Sequence, residues 1–291
     1  MNPLWFFWGQ ETMSFLRFAT LASACRVHED VRLVVRRPAI RPEMAWRPMS
    51  TQDFQYAPPI VDWMPKAMEL PLTVIDIRDV ALSVNSMNAC DSITKDFLMY
   101  HLMATQGGTF ADMDIIFWDK IPDVLHDVQV PKIETGRPVD RMTNRERDAW
   151  QQKIRKAGKQ VGSSRLRRSL HFPTSYIPVG FVQGRPSASW ANAFRLAVER
   201  YDPRDYQCCV FCLDQDIPGS IPATIVYPWA PTPISKVIGF CFSLPTWPEM
   251  STASIGLHWY AGGSQKWNQN INGPEDLPDA AIRVAWKKAG V

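Results

Sequence analysis

Two aspartates separated by a single residue, Asp112 and Asp114, are the pair in this sequence best suited to chemistry. On an extended segment, side chains at i and i+2 leave the backbone on the same side, so both carboxylates can approach one hard divalent cation. Mg²⁺ or Mn²⁺ accepts one or two carboxylates and keeps its other positions for water and phosphate oxygens. A cation held in this way neutralises a diphosphate and makes it a tolerable leaving group. A D-x-D alone is a weak signal, and Asp214-Gln215-Asp216 serves as an internal control. That second instance has no helix, double glycine and aromatic before it and no long apolar run behind it.

The elements around Asp112 and Asp114 follow from periodicity. The start, Pro3-Leu4-Trp5-Phe6-Phe7-Trp8, reads as a buried first strand followed by Gly9. Thr12 is a candidate N-cap for a helix carrying Phe15, Phe18, Ala19, Ala22 and Cys25 at helical spacing, and Val31 to Val35 reads as the next strand. A strand, helix, strand unit of this kind opens a parallel sheet whose ligands lie at the carboxyl ends of its strands. Seven prolines from Pro38 to Pro71 predict irregular loop with one short helix. A second helix is expected from Thr94 to Gln106, with Phe97, Leu98, Leu102 and Met103 inward and Gly107-Gly108 ending it. Thr109 to Trp118 then reads as one strand with the two acids near its start. Further on, Trp190, Ala193, Phe194, Ala197, Val198 and Tyr201 keep a full helical period. A Pro-rich stretch from Pro218 to Pro248 leads to the block Ser254 to Gly263, which contains His258 and Trp259.

Read together, Asp96-Phe-Leu-Met-Tyr100, then Gly107-Gly108-Thr-Phe110-Ala-Asp112-Met-Asp114, resembles the sugar-binding region of the DXD-motif glycosyltransferases. That family includes mannosyltransferases, capsular polysaccharide transferases and large glucosylating toxins, and its pattern runs S-D-x-x-R-Y, helix, G-G-x-Y-x-D-x-D. Phe7-Trp8-Gly9 is similar to the family's first strand and the turn that borders the nucleotide base, and His258-Trp259 resembles its late H-W element. The matches anchor roughly residues 1–35, 75–122 and 250–270, in the family's order.

The resemblance implies a nucleotide-diphospho-sugar transferase (GT-A) fold, a Rossmann-like mixed sheet flanked by helices, spanning residues 1–291 as one α/β domain. Residues 1–122 would form the nucleotide-sugar half and 123–291 the acceptor side. It also implies Mn²⁺ or Mg²⁺ on Asp112, Asp114 and His258, and a UDP- or GDP-linked donor against Trp8, Gly9, Asp96, Tyr100, Gly107, Gly108 and Trp259. The expected reaction moves a hexose to a hydroxyl acceptor with retention of configuration. Two positions depart from the pattern: the family's serine falls at Lys95 and its arginine at Met99, which leaves Lys95 to restore the missing positive charge. Plainer readings stand beside these roles. Asp96 also suits a helix dipole, Gly107-Gly108 a C-cap, His258 a buried hydrogen-bonded imidazole, and Trp8 a core position.

Composition bounds the rest. With 291 residues, 46% apolar and 21% charged, the chain is neither disordered nor fibrous. No apolar stretch approaches the ~20 residues of a transmembrane helix and no signal peptide is recognisable, so a cytoplasmic setting with at most peripheral membrane contact is expected. Six cysteines without framework spacing read as reduced thiols; Cys209-x-x-Cys212 lacks the further ligands of a structural zinc. From Arg137 to Arg168, eleven Lys/Arg face three acids, a local +8 within a chain of net +3, so the remainder is −5. The segment has a capping box, Thr143-x-x-Glu146, and a thin apolar stripe, which predicts a basic surface helix inserted on the acceptor side. Its charge suits an anionic acceptor, a lipid-linked acceptor at a membrane surface, or, less favoured, nucleic acid. Two alternatives follow: a transferase acting on modified DNA bases, and a non-catalytic carbohydrate- or partner-binding protein on a decayed transferase fold. A metal-dependent phosphohydrolase is weaker, since such sites gather more carboxylates and histidines.

Overall fold

The computed structural model describes residues 2–37, 59–82, 87, 89, 91–134, 175–176, 178–200, 221–230, 232–262 and 264–291. The expected basic helix at 137–168, the Asp214-Gln215-Asp216 control, Tyr201, Cys90 and the Cys208, Cys209 and Cys212 thiols lie outside these residues.

The opening unit is β1 (Leu4–Trp8), α1 (Phe15–Val27) and β2 (Val31–Val35), and β1 pairs parallel to β2 through all five residues. The helix starts at Ser14 and not at Thr12. Residues ahead of it are tied elsewhere, with Met13 N–H donating to Asp62 Oδ1 (2.9 Å) and Trp63 N–H to Met13 O (2.8 Å). The described part of the proline-rich region contains the single short helix α2 (Met64–Ala67), which leads into β3 (Thr73–Asp76), parallel to β2.

The second expected helix, α3 (Asp91–Thr105), begins three residues earlier than its periodicity indicates and buries Phe97, Leu98, Leu102 and Met103. It leads into β4 (Gly108–Ala111), parallel to β1 on the side away from β2. The predicted single strand from Thr109 to Trp118 is instead two. After β4 the chain turns through Asp112, Met113 and Asp114 and resumes as β5 (Ile115–Phe117) in a different sheet. Apolar residues continue through both, so periodicity cannot reveal the break; Asp112 N–H still donates to Gly180 O (2.7 Å), the next pair in the β4–β8 register, and only beyond it does the chain cross to the second sheet.

Beyond β5 come β6 (Pro131–Glu134), β7 (Ser175–Tyr176) and β8 (Phe181–Gly184), which pairs antiparallel with β4. Then follow α4 (Ala188–Arg200), β9 (Ile221–Pro222) and α5 (Ile234–Phe242). The chain closes with β10 (Gly256–His258), α6 (Gln265–Asn268) and α7 (Ala281–Ala289). The main sheet has the order β3-β2-β1-β4-β8, parallel except at β8, and β10 pairs antiparallel with β5 in a two-stranded ribbon. This is the mostly parallel α/β sheet flanked by helices that the sequence implies.

The two faces of β1 sort its residues. Trp5 and Phe7 join the core under α3 and α4, where Tyr100 meets Trp190 and Phe97 meets Phe194. Leu4, Phe6 and Trp8 face α1, α2 and Met113. Helix α1 is buried on more than one side, and its small residues Ala19, Ser23 and Ala24 let it approach β5, where Ser23 Oγ accepts from Phe117 N–H (3.0 Å). A third core, built from Trp229, Trp259, α5 and α7, backs the β5–β10 ribbon. Cys25 and Cys241 are free thiols, and burial pushes Cys25 up to about 11. No helix among the described residues is long and apolar enough to cross a membrane.

Candidate metal centre

The turn after β4 lies at the carboxyl edge of the main sheet, where a parallel α/β sheet presents its loops. The ribbon brings His258, the last residue of β10, opposite Ile115, the first of β5. Its Nε2 stands 3.2 Å from Asp114 Oδ1 and 3.9 Å from Asp112 Oδ2. One ligand atom from each of the three residues lies within 4.8 Å of the others.

Each carboxylate is steadied by the protein through its other oxygen. Asp114 Oδ2 accepts from the Ala261 N–H at 2.8 Å, and Asp112 Oδ1 accepts from Lys95 Nζ at 3.0 Å. The backbone is pinned as well: Trp259 N–H donates to Asp114 O (2.9 Å) and His258 N–H to Val226 O (2.8 Å). Tyr260, between the histidine and Ala261, takes the left-handed conformation at φ 55°. A bulky residue there is strained, and this turn aims the Ala261 N–H at Asp114.

The residues present fit a small divalent cation. Two carboxylates and an imidazole form a hard, oxygen-rich donor set, and Asp114 Oδ1 is buried without a hydrogen bond among the described residues. Space is reserved beside them by Gly180. A Cβ there would lie 2.8 Å from His258 Nε2, 2.9 Å from the Tyr227 hydroxyl and 3.0 Å from Asp112 Oδ2. The Tyr227 and Tyr260 rings flank the imidazole at 5.1 and 4.4 Å.

Lys95 and Asp96 form the floor on the α3 side. The Lys95 ammonium, largely buried, is 3.0 Å from Asp96 Oδ1 as well as from Asp112. Burial lifts the Asp96 carboxyl above its usual range, an effect only partly offset by Lys95. Burial also opposes ionisation of Asp112, but there the Lys95 ammonium and the His258 ring win and hold the carboxyl below its ordinary value. Met99, where the resemblance has an arginine, is fully buried in the α3 core, and Lys95 places a positive charge one helical turn earlier. The start of α3 is fastened to β2 by Arg36, which donates to Ala89 O (2.6 Å), Met87 O (3.0 Å) and Thr94 Oγ1 (3.1 Å) and pairs with Asp91.

The remaining residues singled out in the sequence divide into two groups. Trp8 ends β1 at the same edge, and Gly9 packs against Asp91, where a Cβ would meet Asp91 Oδ1 at 2.2 Å. Trp259 follows the histidine, but its ring turns into the third core and is fully buried. Tyr100 is also fully buried, against Trp190. Gly107 and Gly108 lie at the opposite end of β4, with φ of 69° and 109°. Gly107 O accepts from Trp5 Nε1 (2.9 Å), and a Cβ on Gly108 would strike Pro3 O at 2.3 Å. Their smallness therefore serves the helix end and the approach of β1.

Sequence reasoning left Gly180, Tyr227 and Ala261 unmarked. Gly180 precedes β8 with no motif around it, and Ala261 acts only through its backbone. Lys95 could be found because it stands in a recognisable pattern beside Asp96.

No protein-family model matches the chain, and no curated protein matches it in sequence. Among solved structures it is similar to the PaToxG glycosyltransferase at 12% identity and a TM-score of 0.43, over 75% of this chain and 70% of that one. It is also similar to the apo structure of the bifunctional WbbM glycosyltransferase at 12% identity and a TM-score of 0.45. That match covers 99% of this chain and 51% of WbbM, so the chain spans about half of that protein's length.

Proposed function

We propose that this chain is a metal-dependent glycosyltransferase that takes a hexose from a UDP- or GDP-linked donor to a hydroxyl acceptor, with retention of configuration. The observation that carries the reading is the convergence of Asp112, Asp114 and His258 at the carboxyl edge of a parallel sheet. It is joined by the sequence pattern of acid, helix, double glycine and D-x-D that leads to them.

In this reading Asp112 Oδ2, Asp114 Oδ1 and His258 Nε2 hold Mn²⁺ or Mg²⁺, and Gly180 keeps room for it. When bound, such a cation neutralises the donor's diphosphate and so eases departure of the nucleoside diphosphate. Lys95 adds a fixed positive charge on the other side of Asp112, and Asp96 keeps its ammonium from swinging away. Trp8 and Gly9 border the nucleoside from the end of β1, while Trp259, Tyr100, Gly107 and Gly108 support the site by packing. Positioning and charge stabilisation of this kind supply the catalysis, so the chain needs no nucleophile of its own.

The test is hydrolysis of UDP- and GDP-hexoses by the purified chain, with and without Mn²⁺. Turnover that appears only with metal and is lost in Asp114→Ala, while the circular dichroism of the fold persists, supports the reading. Turnover unaffected by that change or by chelator would sink it.

A further inference from the structure

We propose that Arg17 is an anion-binding residue and takes a phosphate group of the donor; only the identity of that anion rests on the function proposed above. Arg17 lies in the first turn of α1, half-buried. Its guanidinium carbon is 5.4 Å from the Trp8 ring and 5.3 Å from the Trp259 ring. Trp8 is the last residue of β1, and Trp259 follows the ligand His258, with its backbone N–H on Asp114 O at 2.9 Å. The arginine is therefore held by two indoles, one at the carboxyl end of β1 and one next in the chain to His258.

Its company differs from that of Arg26 and Arg283, which donate to backbone carbonyls, and from that of four arginines that answer acids. Arg32 answers Asp30, Arg36 answers Asp91, Arg78 answers Asp76 and Arg195 answers Glu199. Among the described residues the Arg17 guanidinium makes neither an ion pair nor a hydrogen bond, and no acidic residue lies in the first turn of its helix. Attraction to the faces of two indoles fixes a guanidinium without engaging its N–H groups. Those donors remain available in a fork that matches two oxygens of a phosphate. A cationic side chain with no counter-charge among the described residues, held between the indole that ends β1 at the carboxyl edge and the indole that follows His258, is suited to take one part of a diphosphate's charge. A cation on Asp112, Asp114 and His258 would take another.

The experiment titrates the full chain calorimetrically with inorganic pyrophosphate in EDTA, and separately with UDP and with GDP in Mn²⁺. Wild type is expected to bind pyrophosphate without metal. Arg17→Gln should weaken that binding about 10- to 100-fold, the range of a charge-assisted contact. Arg17→Lys, which keeps the charge but not the fork, should recover only part of it. Pyrophosphate binding that is absent in wild type, or unchanged in Arg17→Gln, overturns the proposal. Should Arg17→Gln fail to fold, Arg17→Lys carries the test, and affinity equal to wild type then overturns it. Loss of pyrophosphate binding in the variant, together with no Mn²⁺-dependent hydrolysis of any nucleotide sugar by wild type, would leave the anion site standing and the transferase reading refuted.

Discussion

Lys95 Nζ stands 3.0 Å from Asp112 Oδ1, so a fixed protein cation already shares the carboxylate that the candidate metal centre needs. The same ammonium is 3.0 Å from the enclosed Asp96. One lysine thus balances two acids whose environments push them in opposite directions.

Replacing Lys95 with Met leaves Asp96 buried beside Asp112 without its counter-charge. Breaking a buried pair from one side costs about 3 kcal/mol. The single variant should therefore melt well below wild type in a calorimetric scan, and the double variant Lys95→Met, Asp96→Asn should regain much of the loss. Equal melting of the single variant and wild type would show that the ammonium stabilises neither acid.

Asp96 itself gives a pH signature. Its folded pKa lies above the unfolded value because burial favours the neutral acid. Between the two values the folded chain retains a proton that the unfolded chain has lost, so stability falls as pH rises through that window. Asp112 contributes the opposite slope, since its folded value is depressed. The difference between wild type and Asp96→Asn isolates the first effect: the advantage of the variant should grow as pH is raised from below about 4, the ordinary range of an unfolded carboxyl. Chemical denaturation across pH measures it, and a difference that stays flat would contradict the assignment.

Gly180→Ala tests the reserved space. The new methyl would meet His258 Nε2 at 2.8 Å and Asp112 Oδ2 at 3.0 Å, both ends of side chains that can move aside. The fold should survive while Mn²⁺ affinity drops about 10- to 100-fold, as for other disturbances just outside a metal's ligands. Titration calorimetry with Mn²⁺ reads this directly.

Asp114→Asn keeps the shape and the acceptor for the Ala261 N–H but removes the negative charge. Donor hydrolysis in Mn²⁺ should fall by about 10²- to 10³-fold, in line with loss of a preorganised electrostatic contact. Steady-state rates at saturating metal give the number.

Much of this arrangement can be read from the sequence, and the omissions have physical causes. The first strand, helix and strand are legible because β1, buried on both faces, is a continuous apolar run closed by Gly9, and Phe15, Ala19 and Ala22 of α1 and the apolar run of β2 follow it within a short span. The D-x-D and His258 were visible as residue types, and their meeting follows the order of elements. The break between β4 and β5 was hidden because an apolar run looks the same whether it continues in one sheet or crosses into another. Helices α5 and α7 likewise carry no motif. Gly180 is legible only in three dimensions, since its value lies in what its missing side chain does not touch. Arg17 had no signal either, because a cation is expected to find an acid, and its two partners are indoles far apart in the chain.

Asp114 and Asp112 each spend one oxygen on the protein, the first on the Ala261 amide and the second on the Lys95 ammonium. Each thereby turns its other oxygen toward His258, Asp114 Oδ1 and Asp112 Oδ2, an arrangement that favours single-oxygen ligation of a cation. Calcium prefers many oxygens and often a carboxylate gripping through both, whereas magnesium and manganese accept single-oxygen carboxylates and leave most of their shell to water and phosphate. One backbone amide and one side-chain ammonium outside the centre would thus bias a cation held there toward the smaller ions.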